Sequence, residues 1–178
     1  IMQRIKDQGY LEFFEGKYKE KLQENPVFGD RYNGFRKIFE ELLKKKTINF
    51  SIIETGTLRK GNCWTDGQSS LLFFEFLSIF GGKLTTIDID KSALMNCKAI
   101  LAKEIGLDKA ELVLIHGNSV EELSKIKEEA DLVYLDSFDF DPNNPMPSMM
   151  HHLKELASIG SIISKSKNLL IAVDDNFE

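Results

Sequence analysis

Five short apolar runs, each rich in β-branched residues and each followed by a stretch of different periodicity, constrain this chain more than any other feature. They are Asn49–Glu54 (NFSIIE), Lys83–Asp88 (KLTTID), Glu111–His116 (ELVLIH), Asp131–Asp136 (DLVYLD) and Leu169–Asp174 (LLIAVD). None alternates cleanly between apolar and polar. Strands buried on both faces read this way, as in a parallel sheet covered by helices. The stretches between them have helical spacing. Ser69–Phe80 ends at Gly81-Gly82, and Lys91–Ile105 stops at Gly106; glycine there is a helix-stop signal. Ser119–Glu128 opens with a serine and Glu122 three residues on, a capping-box pattern. Pro147–Gly160 is the last helix predicted. Strand and helix in alternation predict a doubly wound, mostly parallel α/β sheet. Upstream, Asp7–Gln23 and Arg31–Lys46 read as two helices around Asn25-Pro26, a cap on the sheet edge. Lys44–Lys46 is a solvated helix end that favours the helix dipole.

Composition narrows the class. The 178 residues suit a single domain, with 1–47 as the helical cap and 48–178 as the α/β core. Apolar residues at 42% and charged residues at 29% exclude a disordered chain. Twenty-three basic against 28 acidic residues leave a net charge of −5, which speaks against a nucleic-acid partner. Cys63 and Cys97 are too few for a disulfide scaffold, so a reducing, cytoplasmic location is expected. No run approaches the roughly 18 apolar residues of a membrane span, and IMQRIKDQGY is not a signal peptide. The fifth strand lies close to Glu178. A C-terminal truncation, or a homo-oligomer covering the sheet edge, is therefore expected.

In such a sheet, ligands bind beyond the carboxyl ends of the strands. Here those ends read Glu54-Thr55-Gly56-Thr57, Asp88-Ile89-Asp90, His116-Gly117-Asn118-Ser119, Asp136-Ser137-Phe138-Asp139 and Asp174-Asp175-Asn176. Any one could be a helix cap. Five together line one crevice with carboxylates and imply a cation or a positively charged ligand. The GxGxxG fingerprint is absent, since Thr57, Leu58 and Arg59 follow Gly56, and no GK[ST] occurs. That disfavours nicotinamide dehydrogenases and P-loop NTPases. Asp88, at the second strand tip, could take both hydroxyls of a ribose.

These motifs, in this order from Asn49 to Asn176, resemble class I S-adenosylmethionine-dependent methyltransferases. The resemblance implies a Rossmann-like sheet of order 3-2-1-4-5. It implies S-adenosylmethionine as cofactor, with Glu54, Gly56 and Thr57 as the first motif and Gly56 admitting the backbone close to the methionine part. Asp88 would hold the ribose, Asn118 and Ser119 would lie beside the adenine, and Asp136 would border the cofactor. Asp66-Gly67-Gln68-Ser69-Ser70 resembles the segment opening the next helix, with Ser69 at the cofactor carboxylate. The longer stretch Leu58–Thr65 leaves open which of Arg59, Trp64 and Asp66 touches the ligand, and whether Trp64 instead packs the loop.

Asp136 with Asp175 and Asn176 resembles the metal ligands of catechol-type O-methyltransferases, and Asp174-Asp175 the pair in macrocin-type sugar O-methyltransferases. Oxygen ligands suit Mg²⁺, which would acidify and orient a substrate hydroxyl. The resemblance thus implies methyl transfer to a hydroxyl of a sugar, glycan or small molecule, with no nucleic acid or membrane partner. The catechol enzymes carry a lysine base where this chain has Asp139, so Asp139, His151 or His152 is the candidate base. Adjacent helix positions point about a quarter-turn apart, so one histidine is expected to face the crevice; His116 reads as structural. Phe138–Ser148, with Pro142, Pro145 and Pro147, reads as a lid. Met146, Met149 and Met150 either touch substrate or fill the core under the helix. The competing functions are a non-catalytic binder of S-adenosylmethionine or S-adenosylhomocysteine, and a nucleotide-sugar-binding oxidoreductase.

Overall fold

The computed structural model describes residues 8–23, 31–45, 48–64, 68–139, 141 and 143–174. Its strands are β1 (Phe50–Thr55), β2 (Gly82–Asp88), β3 (Glu111–His116), β4 (Leu132–Leu135) and β5 (Leu170–Val173). They form one sheet in the order β3-β2-β1-β4-β5, and every pairing is parallel. This is the Rossmann-like doubly wound architecture expected. The helices are α1 (Gln8–Gln23), α2 (Arg31–Lys45), α3 (Ser69–Phe80), α4 (Lys91–Glu104), α5 (Ser119–Lys125), α6 (Met146–Ser158) and α7 (Gly160–Lys165). No helix among the described residues is long and apolar enough to cross a membrane.

Strand side chains alternate between two apolar layers. Ile52, Leu84, Leu132 and Tyr134 face a layer built on α1–α4, while Ile53, Ile87, Val133 and Leu135 face one that includes Leu123, Ile159 and Ile162. The register aligns Thr55 with Ile87 and with Leu135, and Leu135 with Val173. The residues that follow these strands therefore emerge side by side on one edge. Gly82 makes the close β1–β2 start possible, because a Cβ there would stand 1.9 Å from the Phe50 carbonyl oxygen.

Four expectations are corrected. The helices α1 and α2 do not cap the sheet edge alone: Tyr10, Phe14, Phe35 and Phe39 share one core with Phe73 and Phe76 of α3, over the sheet face, while α2 also lies against the edge strand β5. The capping residue of α5 is Asn118, whose side chain accepts the Val120 N–H at 3.1 Å, so Ser119 is the first helical residue. That helix also ends early, at Lys125, where Ile126 turns extended and packs into the second core. Finally, Gly160 does not end the chain's last helix; after a turn at the buried Ile159 it starts α7.

Candidate functional site

The strand order reverses between β1 and β4, and this switch point is where ligands bind in open α/β sheets. Gly56 stands there with φ of 77°, and a Cβ on it would lie 2.1 Å from the Asp136 carbonyl oxygen. Asp136 donates its N–H to the Thr55 carbonyl at 3.1 Å and to Thr55 Oγ1 at 3.2 Å. No other residue fits at 56 without moving the β4 tip.

Glu54 lies beneath this turn, fully buried. Its Oε1 accepts from Ser70 Oγ, which in turn accepts the Leu58 N–H at 3.0 Å. Its Oε2 has no partner at hydrogen-bond distance. Burial pushes this carboxyl up to about 7, against the hydroxyls of Ser70, Thr86 and Ser69, with the Asp88 charge adding to the rise. A buried ionisable group with one oxygen unmatched costs stability unless a further hydrogen-bond partner completes it. Ser69, also buried, opens α3 beside it.

One strand over, the Asp88 carboxylate accepts the Asp90 N–H at 2.8 Å. Burial raises its carboxyl, opposed by the backbone N–H groups of Asp90 and Thr57. Thr57 thus ties the Gly56 turn to the β2 tip. Asn118 is exposed and used as a cap, while Ser119 is buried with its hydroxyl turned toward α6. His116 is exposed, its Nε2 3.0 Å from the Ile89 carbonyl.

A second cluster gathers around Glu155, a residue sequence reading did not single out. Its carboxylate has no exposed surface. Oε1 accepts from Ser137 Oγ at 2.6 Å and lies 3.6 Å from His151 Nε2; Oε2 lies 3.0 Å from His152 Nδ1. Ser119 Oγ stands 3.0 Å from His151 Nε2 and 3.2 Å from Ser137 Oγ. Burial would raise the Glu155 carboxyl, but His152 and the hydroxyls of Ser119, Ser137 and Thr55 hold it below its ordinary range. Burial lowers the His151 imidazole, Glu155 opposing. Both histidines therefore converge on one carboxylate. His152 is buried, whereas His151 keeps 20% of its side chain exposed, beside the Phe138 ring at 5.3 Å. This is not a hydrolytic triad, because serine and carboxylate approach the same imidazole nitrogen rather than opposite ones. The signal that could have revealed Glu155 was its i+3 and i+4 spacing from the two histidines, which stacks the three on neighbouring turns.

The carboxylates at the β4 and β5 tips meet a charge of the protein's own. Arg31, at the start of α2, pairs with Asp174. Burial disfavours the guanidinium charge, but Asp174, Tyr134 and Asp136 around it hold it above its ordinary range. Of the three expected metal ligands, Asp136 is described, while Asp175 and Asn176 lie outside the described residues. Among the described residues no group of three or more His, Cys, Asp or Glu side chains could hold a metal ion. Within the described residues the Arg31 guanidinium neutralises Asp174, so that carboxylate has its partner inside the fold.

The remaining candidates sit at the rim. Asp139 is 82% exposed and takes Arg59 through both oxygens, at 3.2 and 3.3 Å. Trp64 packs on Tyr18 of α1 at 5.5 Å under the Lys21 ammonium, which is the packing role. Asp66 and Gly67 lie outside the described residues, as do Phe140 and Pro142. Among the described residues of 138–148, Asn143 and Asn144 donate to Asp141, and Ser148 Oγ donates to the Phe138 carbonyl at 3.3 Å. Met146, Met149 and Met150 are exposed and fill no core.

No protein-family model matches the chain, and no curated protein does. Among solved structures it is similar to an rRNA methylase from Streptococcus thermophilus, with a TM-score of 0.47 and 15% identity over 85% of this chain and 75% of that one.

Proposed function

We propose that this chain is an S-adenosylmethionine-dependent methyltransferase that delivers the methyl group to a hydroxyl of a sugar, glycan or other small molecule. The observation that carries the reading is the pairing of Glu54 with Asp88 across the Gly56–Thr57 turn. A buried carboxylate with one unmatched oxygen calls for a cationic donor. A half-buried carboxylate one strand away, about 5 Å across the sheet, suits a ribose diol. A ligand with an ammonium group at one end and a nucleoside at the other answers both. No glycine fingerprint for a pyrophosphate accompanies them, which disfavours the oxidoreductase reading.

In this assignment Glu54 and Ser69 hold the methionine end, Gly56 and Thr57 line it with backbone, Asp88 holds the ribose, and Asn118 and Ser119 border the adenine. When bound, S-adenosylmethionine supplies an activated methyl on a sulfonium centre. The chain's own contribution is positioning, together with a proton acceptor. We assign that acceptor to His151, which combines partial exposure with a depressed imidazole, so that it is neutral near pH 7. Asp139 serves to hold Arg59. The histidine cluster beside Ser119 is the feature that favours an enzyme over a pure binder. The proposal routes no step through a metal ion: the Arg31 guanidinium pairs with Asp174 and is influenced by the Asp136 charge.

Calorimetry with S-adenosylhomocysteine tests the reading. Micromolar binding is expected, with Glu54→Gln and Asp88→Asn each weakening it on the order of tenfold or more, the loss of one charge-assisted hydrogen bond. A folded chain that shows no binding sinks the assignment.

A further inference from the structure

We infer that Glu155 is the positioning residue of this site: through Ser137 and Ser119 it fixes the proton of His151 on Nε2 and leaves Nδ1 as the basic nitrogen. The inference rests on the methyltransferase reading and adds residues to it that no motif supplied.

The argument is a proton count. An ionised carboxylate only accepts hydrogen bonds, and each serine has one proton to give. Ser137 must therefore donate to Glu155 at 2.6 Å. Its oxygen can then accept from Ser119 across 3.2 Å. The Ser119 hydroxyl faces both Ser137 and the Glu155 carboxylate, so its proton is drawn to that side, and the 3.0 Å contact with His151 then requires a proton on Nε2. All three contacts are then satisfied, as a chain directed from His151 through Ser119 and Ser137 to the carboxylate. The opposite tautomer makes Ser119 donate to Nε2 and leaves the part-buried Ser119–Ser137 contact with no proton between the two oxygens. The Glu155 charge, 3.6 Å from Nε2, favours the first arrangement as well.

On the other oxygen, the 3.0 Å contact demands a proton on His152 Nδ1. Two neighbouring histidines therefore carry opposite tautomers, set by the two oxygens of one carboxylate. Proton transfer then balances simply. The O–H bond of the acceptor breaks and an Nδ1–H bond forms on His151. The electron pair stays on the acceptor oxygen, and the new imidazolium faces the Glu155 charge.

Nitrogen-15 NMR of the histidine-labelled full chain reads this directly, because protonated and unprotonated ring nitrogens resonate far apart and the chain has three histidines. The expected result at neutral pH is Nε2–H for His151 and Nδ1–H for His152. Ser137→Ala should turn His151 into a mixture of tautomers while His152 keeps its own. Glu155→Gln should release both. A purely structural glutamate would leave the His151 tautomer indifferent to Ser137. His151 found as Nδ1–H, or unchanged in Ser137→Ala, overturns the inference. Titration of the same samples with S-adenosylhomocysteine separates the two claims. Binding with the wrong tautomer defeats this inference alone, and the right tautomers without binding defeat the methyltransferase reading alone.

Discussion

Glu54 shows how a single residue can report on its ligand. Its carboxyl is raised to about 7 by burial. A carboxyl raised on folding stabilises the fold fully below its unfolded value, and that contribution is lost as pH rises through the folded one. The empty protein should therefore lose stability between pH 5 and 8 on account of Glu54, and Glu54→Gln should flatten that part of a melting-temperature profile. An ammonium group bound at Oε2 requires the ionised form. Binding of S-adenosylhomocysteine near pH 6.5 should accordingly release a proton, seen as a heat that differs between phosphate and Tris buffers, and Glu54→Gln should abolish the difference. An equal heat in both buffers for the wild type would place the ligand's ammonium elsewhere.

At the scale of the element, α6 is built against the usual polarity. Its buried residues are Ser148, His152 and Glu155, while Met146, Met149, Met150 and Leu153 are exposed. Hydrogen bonds to Ser137 and Ser119 hold its inward face, together with the apolar contact of Leu156 on the second core. Met149→Gln should change stability by no more than about 0.5 kcal/mol. Glu155→Leu should cost on the order of 3–5 kcal/mol, because it leaves buried donors without their acceptor. Urea unfolding of the two variants checks both, and equal losses would contradict this account. The same inversion explains what the sequence concealed. Apolar periodicity locates a helix, and the bounds of α6 were legible to within two residues. Which face turns inward follows from partners brought by distant segments, here the tips of β4 and α5. Glu155 was invisible for that reason. Gly56 and Asp88 were legible because a glycine turn and a strand-tip carboxylate carry their meaning locally. Ser119 was named for its place beside the adenine, but its hydroxyl contact with α6 could not be read from a cap pattern.

For the whole molecule, the alternation of runs was enough to expect the sheet, since apolar strands alternating with helices have few other arrangements; burial on both faces holds for β1, β2 and β4, whereas the edge strands β3 and β5 are only partly covered. The place of α1 and α2 was not legible, because aromatic residues at helical spacing can cover an edge or a face equally well. They cover the face: Tyr10 meets Phe39, Phe76 and Phe80 at 5.2–5.4 Å, and Phe35 meets Tyr134 of β4 at 5.7 Å. A core shared this widely should unfold as one unit. Trp64, the chain's single tryptophan, sits on α1 through Tyr18. Its fluorescence and the far-ultraviolet circular dichroism should lose signal at the same urea midpoint. An earlier fluorescence transition would mean that α1 and α2 leave before the sheet.

The outward methionines of α6 have a thermal consequence. They are wetted while the helix is docked, so among its large apolar side chains undocking would newly expose only Leu156, which packs on the second core. Heat-capacity changes scale with apolar exposure, and newly exposed polar groups offset them. Elsewhere in the fold, apolar attachments weaken on cooling. The hold of α6 on the strand tips has little of that dependence, so the ring of serines, histidines and glutamate should keep its geometry from cold to warm while the rest of the molecule softens and stiffens around it.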